Sequence, residues 1–440
     1  MKEITKKDLE NLSQSFNNKP VQKALQRVLF KNDMQTAFEV QESANLNQFK
    51  FSNEIKTLPV SNQKQSGRCW IFAGLNVIRE TAAKKYDLKA FEFSQNYVAF
   101  WDKFEKINYF MEAMDDFLDV DHDDRTLQHL LKTGIQDGGQ WDMFVALIEK
   151  YGLVPMEAMV ETAASSKTMF MNRLINIKLR QYAAVVRQLF KEQKQDQIAN
   201  VKKQYLDEFY TFLVTSFGQP PKTFDFEYVS NDQYKVIKEL TPLKFYKEIL
   251  GDKLENFVSI INSPTDDKPF DKTYTVSYLG NVVGGHGIKY LNLDMASLKA
   301  LVVKQLLAGE VVWFGSDVGR FGDRQVGIWD DKAYDFDLLG MSFDMSKKDQ
   351  LDYAQSAMSH AMVITAVHLE NDKPVRWKIE NSWGDANGLK GYYLASDTWF
   401  DQFVFQAVID KKYLSENQSK AWEQKPIVLK PWDPMGALAK

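Results

Sequence analysis

The chain has 440 residues, 44% hydrophobic and 26% charged, the balance of an ordinary water-soluble protein long enough for two or three packed subdomains. A net charge of -4 argues against a general nucleic-acid binder. The charged start Met1-Lys2-Glu3-Ile4-Thr5-Lys6-Lys7-Asp8 does not read as a signal peptide, and no apolar run approaches the ~18 residues that span a bilayer.

Residues 1–60 read as a helical extension, with Val21, Leu25 and Val28 at helical spacing and Pro59 ending the pattern. Residues 61–160 open with Gln63-Lys64-Gln65-Ser66-Gly67-Arg68-Cys69-Trp70 and run into a stretch apolar on most sides, expected as a buried helix from Cys69 to about Lys85. Further helices are expected over 96–114 and 141–151, the second between the flexible Asp137-Gly138-Gly139 and the pair Gly152 and Pro155. Residues 161–275, rich in Lys, Gln and aromatic residues, read as a helical insertion with long amphipathic helices over 172–212. Its basic stretch is interrupted by Glu192 and Asp196, which fits a solvated helix face. Residues 276–410 read as β-rich, with strands near 274–278, 311–314 and 361–367. The stretch 411–440 ends in Lys430-Pro431-Trp432-Asp433-Pro434-Met435-Gly436-Ala437-Leu438-Ala439-Lys440, whose prolines disfavour helix and imply an extended arm. The fold class expected is α+β.

Cys69 is the only cysteine, so no internal disulfide can form, which fits a reducing, cytoplasmic compartment and leaves the thiol free. A cysteine attacks as the thiolate, which a helix start, neighbouring cations and a histidine all favour. Between Ser61 and Arg79 stand Lys64, Arg68 and Arg79 and no acid. A lone thiol is otherwise commonly a buried core residue, so a base must be found. The histidines are His122, His129, His286, His360 and His368. His360 opens an apolar strand that returns, after Asn371-Asp372, as a second one. A hairpin centred at 371.5 sets residue 360 opposite 383 and makes Asn381 a diagonal neighbour. Its amide oxygen would accept a ring N–H, fix the tautomer and aim the other nitrogen at a thiol. His368 lies about 26 Å further along the strand and cannot share the site. An oxyanion donor is also needed, and Gln63 and Gln65 are both placed for it.

Asp119-Val120-Asp121-His122-Asp123-Asp124 looks like the start of a calcium loop. However, Asp124 stands where Gly is needed and Leu130 where Glu is needed. Gly284-Gly285-His286-Gly287 reads as a turn. No metal or cofactor is expected.

Gln63, Ser66-Gly67-Arg68-Cys69-Trp70, His360 before its apolar strand and Asn381-Ser382-Trp383-Gly384 resemble the four motifs of papain-like cysteine peptidases. Gly67-Arg68-Cys69-Trp70-Ile71-Phe72-Ala73, Asp137-Gly138-Gly139-Gln140-Trp141 and the ending Trp432-Asp433-Pro434-Met435-Gly436-Ala437-Leu438-Ala439 resemble the bleomycin hydrolase and aminopeptidase C branch. The resemblance implies a papain-like α+β fold: a helical half carrying Cys69, a β-rich half carrying His360 and Asn381, and a cleft between them. It implies Gln63 rather than Gln65 as the oxyanion donor, and Gly138 and Gly139 as backbone contacts for a bound peptide, where glycine permits close approach. It also implies a homohexamer built through the helical insertion, and an arm whose final residues, Ala439 and Lys440, enter the cleft so that the terminal carboxylate meets a substrate's α-amine. The activity implied is that of a broad-specificity aminopeptidase on peptide substrates, gated by the arm, with neither membrane nor nucleic acid as partner. An endopeptidase of the same branch, an acyltransferase using the same Cys and His, and a silent interaction protein are the alternatives.

Overall fold

Helices dominate the first half of the chain and strands the second, in a computed structural model that describes residues 1–251 and 253–439. Four short helices come first: α1 (Lys6–Asn17), α2 (Pro20–Leu29), α3 (Met34–Phe38) and α4 (Gln41–Leu46). Thr5 and Asp8 cap the start of α1 reciprocally, and Pro20 begins α2, where its missing N–H is no loss. Neither α1 nor α2 buries a residue.

After the short strand β1 (Asn53–Glu54), α5 (Cys69–Tyr86) runs through the interior, buried continuously from Cys69 to Val77 and on to Arg79. An apolar sequence on all sides leaves it no face for water. Around it come α6 (Gln95–Ala113), α7 (Arg125–Thr133) and α8 (Trp141–Tyr151), of which α6 and α8 pack against it. Next, α9 (Met169–Lys191) and α10 (Ile198–Phe217) lie on α6. Each buries one stripe at helical spacing, Met171, Ile175, Leu179, Tyr182 and Val186 on α9 and Tyr205, Phe209, Leu213 and Phe217 on α10.

Beyond Phe217 the block that reads as helical turns to strands. The hairpin of β2 (Phe224–Ser230) and β3 (Gln233–Leu240) closes at Asn231 and Asp232, both at positive φ (51° and 59°), as a two-residue turn requires. Alternating Phe224, Phe226 and Tyr228 carry the period-two signal. After α11 (Pro242–Leu250), β4 (Phe257–Ile261) and β5 (Lys272–Val276) enter the central sheet.

Among the described residues that sheet has twelve strands. Its remaining members are β6 (Tyr290–Asn292), β7 (Val312–Ser316), β8 (Gly322–Asp323), β9 (Ile328–Trp329), β10 (His360–Glu370), β11 (Lys373–Glu380), β12 (Tyr392–Ser396), β13 (Val404–Asp410) and β14 (Ile427–Leu429). The order is β14-β5-β6-β4-β13-β7-β10-β11-β12-β9-β8, with β1 added to β10. Interspersed are α12 (Met295–Leu307), α13 (Lys347–Asp352), α14 (Asp397–Phe403) and α15 (Glu416–Trp422). Two apolar cores result. One joins α5, α6 and α8 to the sheet through Trp70, Trp141 and Trp313, and the other joins α12 and α14 to it through Trp329, Trp377 and Trp399. No helix among the described residues is long and apolar enough to cross a membrane.

The β10–β11 turn at Asn371 and Asp372 (φ 49° and 60°) sets Glu370 against Lys373, centred at 371.5. Two irregularities, between His368 and Leu369 and between Ile364 and Ala366, offset each other, so Val363 still faces Glu380. Pairing with β11 then stops. His360 faces Ser316 of β7 and not residue 383, leaving the residues after Glu380 free to turn in toward its ring.

Candidate active site

Cys69 is the first residue of α5, fully buried at 0% exposure. Its Sγ receives the backbone N–H of Ala361 at 3.4 Å, which sets the thiol against the start of β10, where His360 stands. His360 Nε2 lies 2.9 Å from Asn381 Oδ1. The same oxygen accepts the backbone N–H of Ser382 at 2.8 Å, so it acts as acceptor and Nε2 carries the proton. In the neutral ring Nδ1 is then the basic nitrogen. The Trp383 ring lies 4.9 Å from the imidazole, tilted by 34°, and covers the His360–Asn381 pair.

Gln63 is 5% exposed and held from both ends of its amide. Nε2 donates to Ser66 O at 2.6 Å, Oε1 accepts from Ser382 Oγ at 2.6 Å, and the backbone N–H reaches Ser382 O at 2.8 Å. One amide N–H is left over for an incoming oxygen. Gln65 is exposed, and its backbone N–H is spent on Ser166 O at 3.0 Å.

The cations flanking Cys69 do not act as their sequence positions suggest. Arg68 forks onto Glu161 at 2.9 and 3.0 Å, and Arg79 pairs with Glu380 at 2.7 Å. Acids from distant segments thus cancel two of the three charges. Burial pushes the Cys69 thiol up to about 12, against the pull of the Ala361, Trp70 and Cys69 backbone N–H groups, while the Asp137 charge adds to the rise. The helix start and these N–H groups favour the charged sulfur, and burial opposes it.

Gly138 and Gly139 form the opposite wall. A Cβ on Gly139 would sit 2.4 Å from the Trp70 ring, so only glycine lets the chain pass there. Gly139 pairs antiparallel with Ala439, its N–H reaching Ala439 O at 3.1 Å, and Gln140 Nε2 donates to Ala437 O at 2.7 Å. Ala439 is 0% exposed; Lys440 lies outside the described residues. The arm is fixed further back by Lys268, whose Nζ is 2.9 Å from Asp433.

Two buried lysines hold this wall from behind. Lys106 Nζ donates to Gly138 O at 2.7 Å and pairs with Asp102 at 2.7 Å, and Lys103 pairs with Asp137 at 2.5 Å. Burial works to raise the Asp137 carboxyl, but the Lys103 charge and hydrogen bonds hold it well below the usual carboxylate range. Its backbone oxygen receives Trp70 Nε1 at 2.7 Å, which links the wall to the residue after Cys69. Sequence reasoning missed Lys103, Lys106, Gln140 and the hold of Ser382 on Gln63. Only Ser382 and Gln140 carried a signal, by adjacency to Asn381 and Gly139.

The arrangement is one thiol, one imidazole with an oriented tautomer, one poised amide and a peptide already seated on a glycine wall. The chain matches the Peptidase C1-like family over residues 3–436. It is 51% identical over 395 residues to aminopeptidase C of Lactobacillus delbrueckii subsp. lactis, covering 88% of each chain. It is 40% identical over 392 residues to bleomycin hydrolase of Rattus norvegicus, covering 87% of this chain and 86% of that one. The crystal structure of PepW from Lactobacillus rhamnosis HN001 superposes with a TM-score of 0.97 at 49% identity, over 99% of both chains.

Proposed function

The chain belongs to the Peptidase C1-like family, a cysteine peptidase of papain-like α+β fold, and from that premise we propose that it is an aminopeptidase working through Cys69, His360, Asn381 and Gln63. The observation that carries the reading is the His360–Asn381 pair at 2.9 Å, at the start of the strand whose next N–H lies on the Cys69 sulfur.

In this reading His360 Nδ1 takes the Cys69 proton as the sulfur attacks the first peptide carbonyl. The developing oxyanion is met by the free N–H of Gln63 and the backbone N–H of Cys69 at the helix start. The imidazolium, held by Asn381, passes the proton to the departing amine. Water, activated by the same imidazole, then hydrolyses the acyl-enzyme. The Gly139–Ala439 pairing supports an exopeptidase: the arm already fills the side of the cleft that a longer chain would need. In this reading the arm beyond Ala439 carries the carboxylate that meets the substrate's α-amine, and Gly138 and Gly139 hold the peptide backbone.

Leu9, Leu12 and Phe16 on α1 and Met169, Phe170 and Ile177 on α9 are exposed apolar residues, which supports burial between copies. We place them in a homohexamer built through the 1–60 extension and the 161–275 block, with the 61–160 and 276–410 halves framing the cleft and 411–440 as the arm. The lone thiol supports a reducing, cytoplasmic setting. Sedimentation velocity reads the assembly.

Substituting Cys69→Ser and assaying an aminoacyl fluorogenic substrate tests the chemistry. Hydrolysis lost in the variant, with its thermal melt unchanged, supports the reading; retained hydrolysis ends it.

A further inference from the structure

Beside Trp383 an open cavity of about 620 Å³ is lined by Lys64, Lys167 and Arg324 and by no acid. Trp383 forms its inner edge, with the His360 ring 4.9 Å from the indole and the Arg324 guanidinium 4.3 Å from it. The walls are tied down by backbone: Asn62 bridges to Trp383, and Gln65 to Lys167. Lys64 occupies a left-handed turn, φ 56°, closed by its N–H on Asn62 Oδ1 at 2.9 Å. Asp323, beside Arg324 in the chain, turns its carboxylate to the N–H groups of Gln325 and Val326. Among the described residues none of the three cations is paired with a carboxylate.

The location gives this charge a use. Gly139 and Ala439 mark the side of Cys69 where the substrate amine is held, so the chain beyond the scissile bond must leave past His360 and over Trp383. We propose that this cavity is the subsite for the leaving portion of the peptide and that it selects a carboxylate there, carried either by an acidic side chain or by the C-terminus of a short peptide. The inference rests on the assignment of Cys69 as nucleophile. Arg324 stacked on the indole offers a flat donor edge, suited to a carboxylate, and the two lysines add charge from the facing wall. All three cations are exposed, so their effect is modest individually and screened by salt.

The test compares kcat/KM for Ala-Ala-NH2, Ala-Ala, Ala-Asp-NH2 and Ala-Lys-NH2, with alanyl-7-amino-4-methylcoumarin reporting the acyl half alone. The carboxylate-bearing peptides are expected to exceed the neutral amide by about tenfold, as three screened pairs allow, and Ala-Lys-NH2 to fall below it. The advantage shrinks to within about threefold in Lys64→Gln/Lys167→Gln/Arg324→Gln and at raised ionic strength. Arg324→Gln alone, giving a partial loss, serves if the triple variant does not fold. An advantage confined to Ala-Ala assigns the carboxylate to the peptide C-terminus, and one confined to Ala-Asp-NH2 assigns it to the side chain; both support the subsite. Equal kcat/KM for carboxylate and neutral peptides, or a preference undiminished in a folded variant, overturns it while leaving Cys69 in place. A wild type that leaves the coumarin substrate uncut overturns both.

Discussion

Single atoms set the working geometry at Gly139 and Asn381. A methyl group on Gly139 would press into the Trp70 ring at 2.4–2.6 Å, and Trp70 is fixed by its bond to Asp137 O, so the loop rather than the ring must yield. Gly139→Ala is therefore expected to lower kcat/KM at least tenfold and stability by about 1–3 kcal/mol, the usual cost of overpacking; steady-state kinetics and urea denaturation measure the two. At Asn381 the oxygen serves both Ser382 N and His360 Nε2. Asn381→Ala frees the ring to turn, and kcat is expected to drop by roughly 10²-fold with KM little changed. An unchanged kcat would show that Trp383 and the strand hold the imidazole unaided. These residues were legible in the sequence because chemistry restricts which types can serve: one thiol, five imidazoles and an amide near one of them. The thiol's surroundings were not legible. Arg68 and Arg79 looked like activating charges, yet their partners, Glu161 and Glu380, lie 93 and 301 residues away.

Between elements, the seam of α5 against β11 depends on that Glu380 carboxylate, 2% exposed. One oxygen accepts from Arg79 Nη2 at 2.7 Å and Asn76 Nδ2 at 2.8 Å, joining the cysteine helix to the strand that ends just before Asn381. Burial raises the Glu380 carboxyl from 4.5 to about 7, although Arg79 opposes the rise. Between those values the native chain keeps a proton that the unfolded chain has released, so the stability from this group falls as pH rises through the window, by an amount on the order of 3 kcal/mol. Glu380→Gln keeps an acceptor oxygen but cannot titrate. Its melting temperature, relative to wild type, is expected to improve from pH 5 to about pH 7 and then to level off, and a difference independent of pH would refute the assignment. At pH 8, above that window, Arg79→Met acts oppositely: it strands the buried carboxylate, and a loss of about 3–5 kcal/mol is expected, partly recovered when Glu380→Gln is added. Denaturant titrations of the single and double variants check this. Hairpin register shows how far a sequence reaches at this scale. Asn371-Asp372 centres the turn correctly, because both residues accept the left-handed backbone that it needs. The offsetting irregularities farther along, and the exchange of β11 for β7 as the partner of His360, come from packing across the whole sheet. The strands within 224–276 fall in a block that reads as helical for a similar reason: β4 and β5 are short and find their partners in β6, β13 and β14.

On the scale of the whole molecule, residues 431–439 come back onto the wall formed by Gly139 and Gln140. Met435, Ala439 and the carbonyl of Ala437 are held by Tyr290, Gly139 and Gln140, and Trp432 lies under the Arg125 guanidinium at 3.9 Å. The contacts of Met435 and Trp432, with the Lys268–Asp433 pair, leave the arm anchored behind its last residues even when those residues are removed. Deleting 437–440 should therefore open the cleft without releasing the rest of the arm. A substrate with a free α-amine loses the carboxylate that orients it, and its kcat/KM is expected to fall by about tenfold or more, the scale of one charge-assisted contact. An N-terminally acetylated peptide, excluded from the intact cleft by the arm and by the unmatched charge, is expected to become a substrate. The two changes run in opposite directions, which a general loss of folding cannot imitate. If the ratio of blocked to unblocked cleavage is the same in the intact chain and after deletion of 437–440, the arm is no gate, and the exopeptidase reading loses its structural basis.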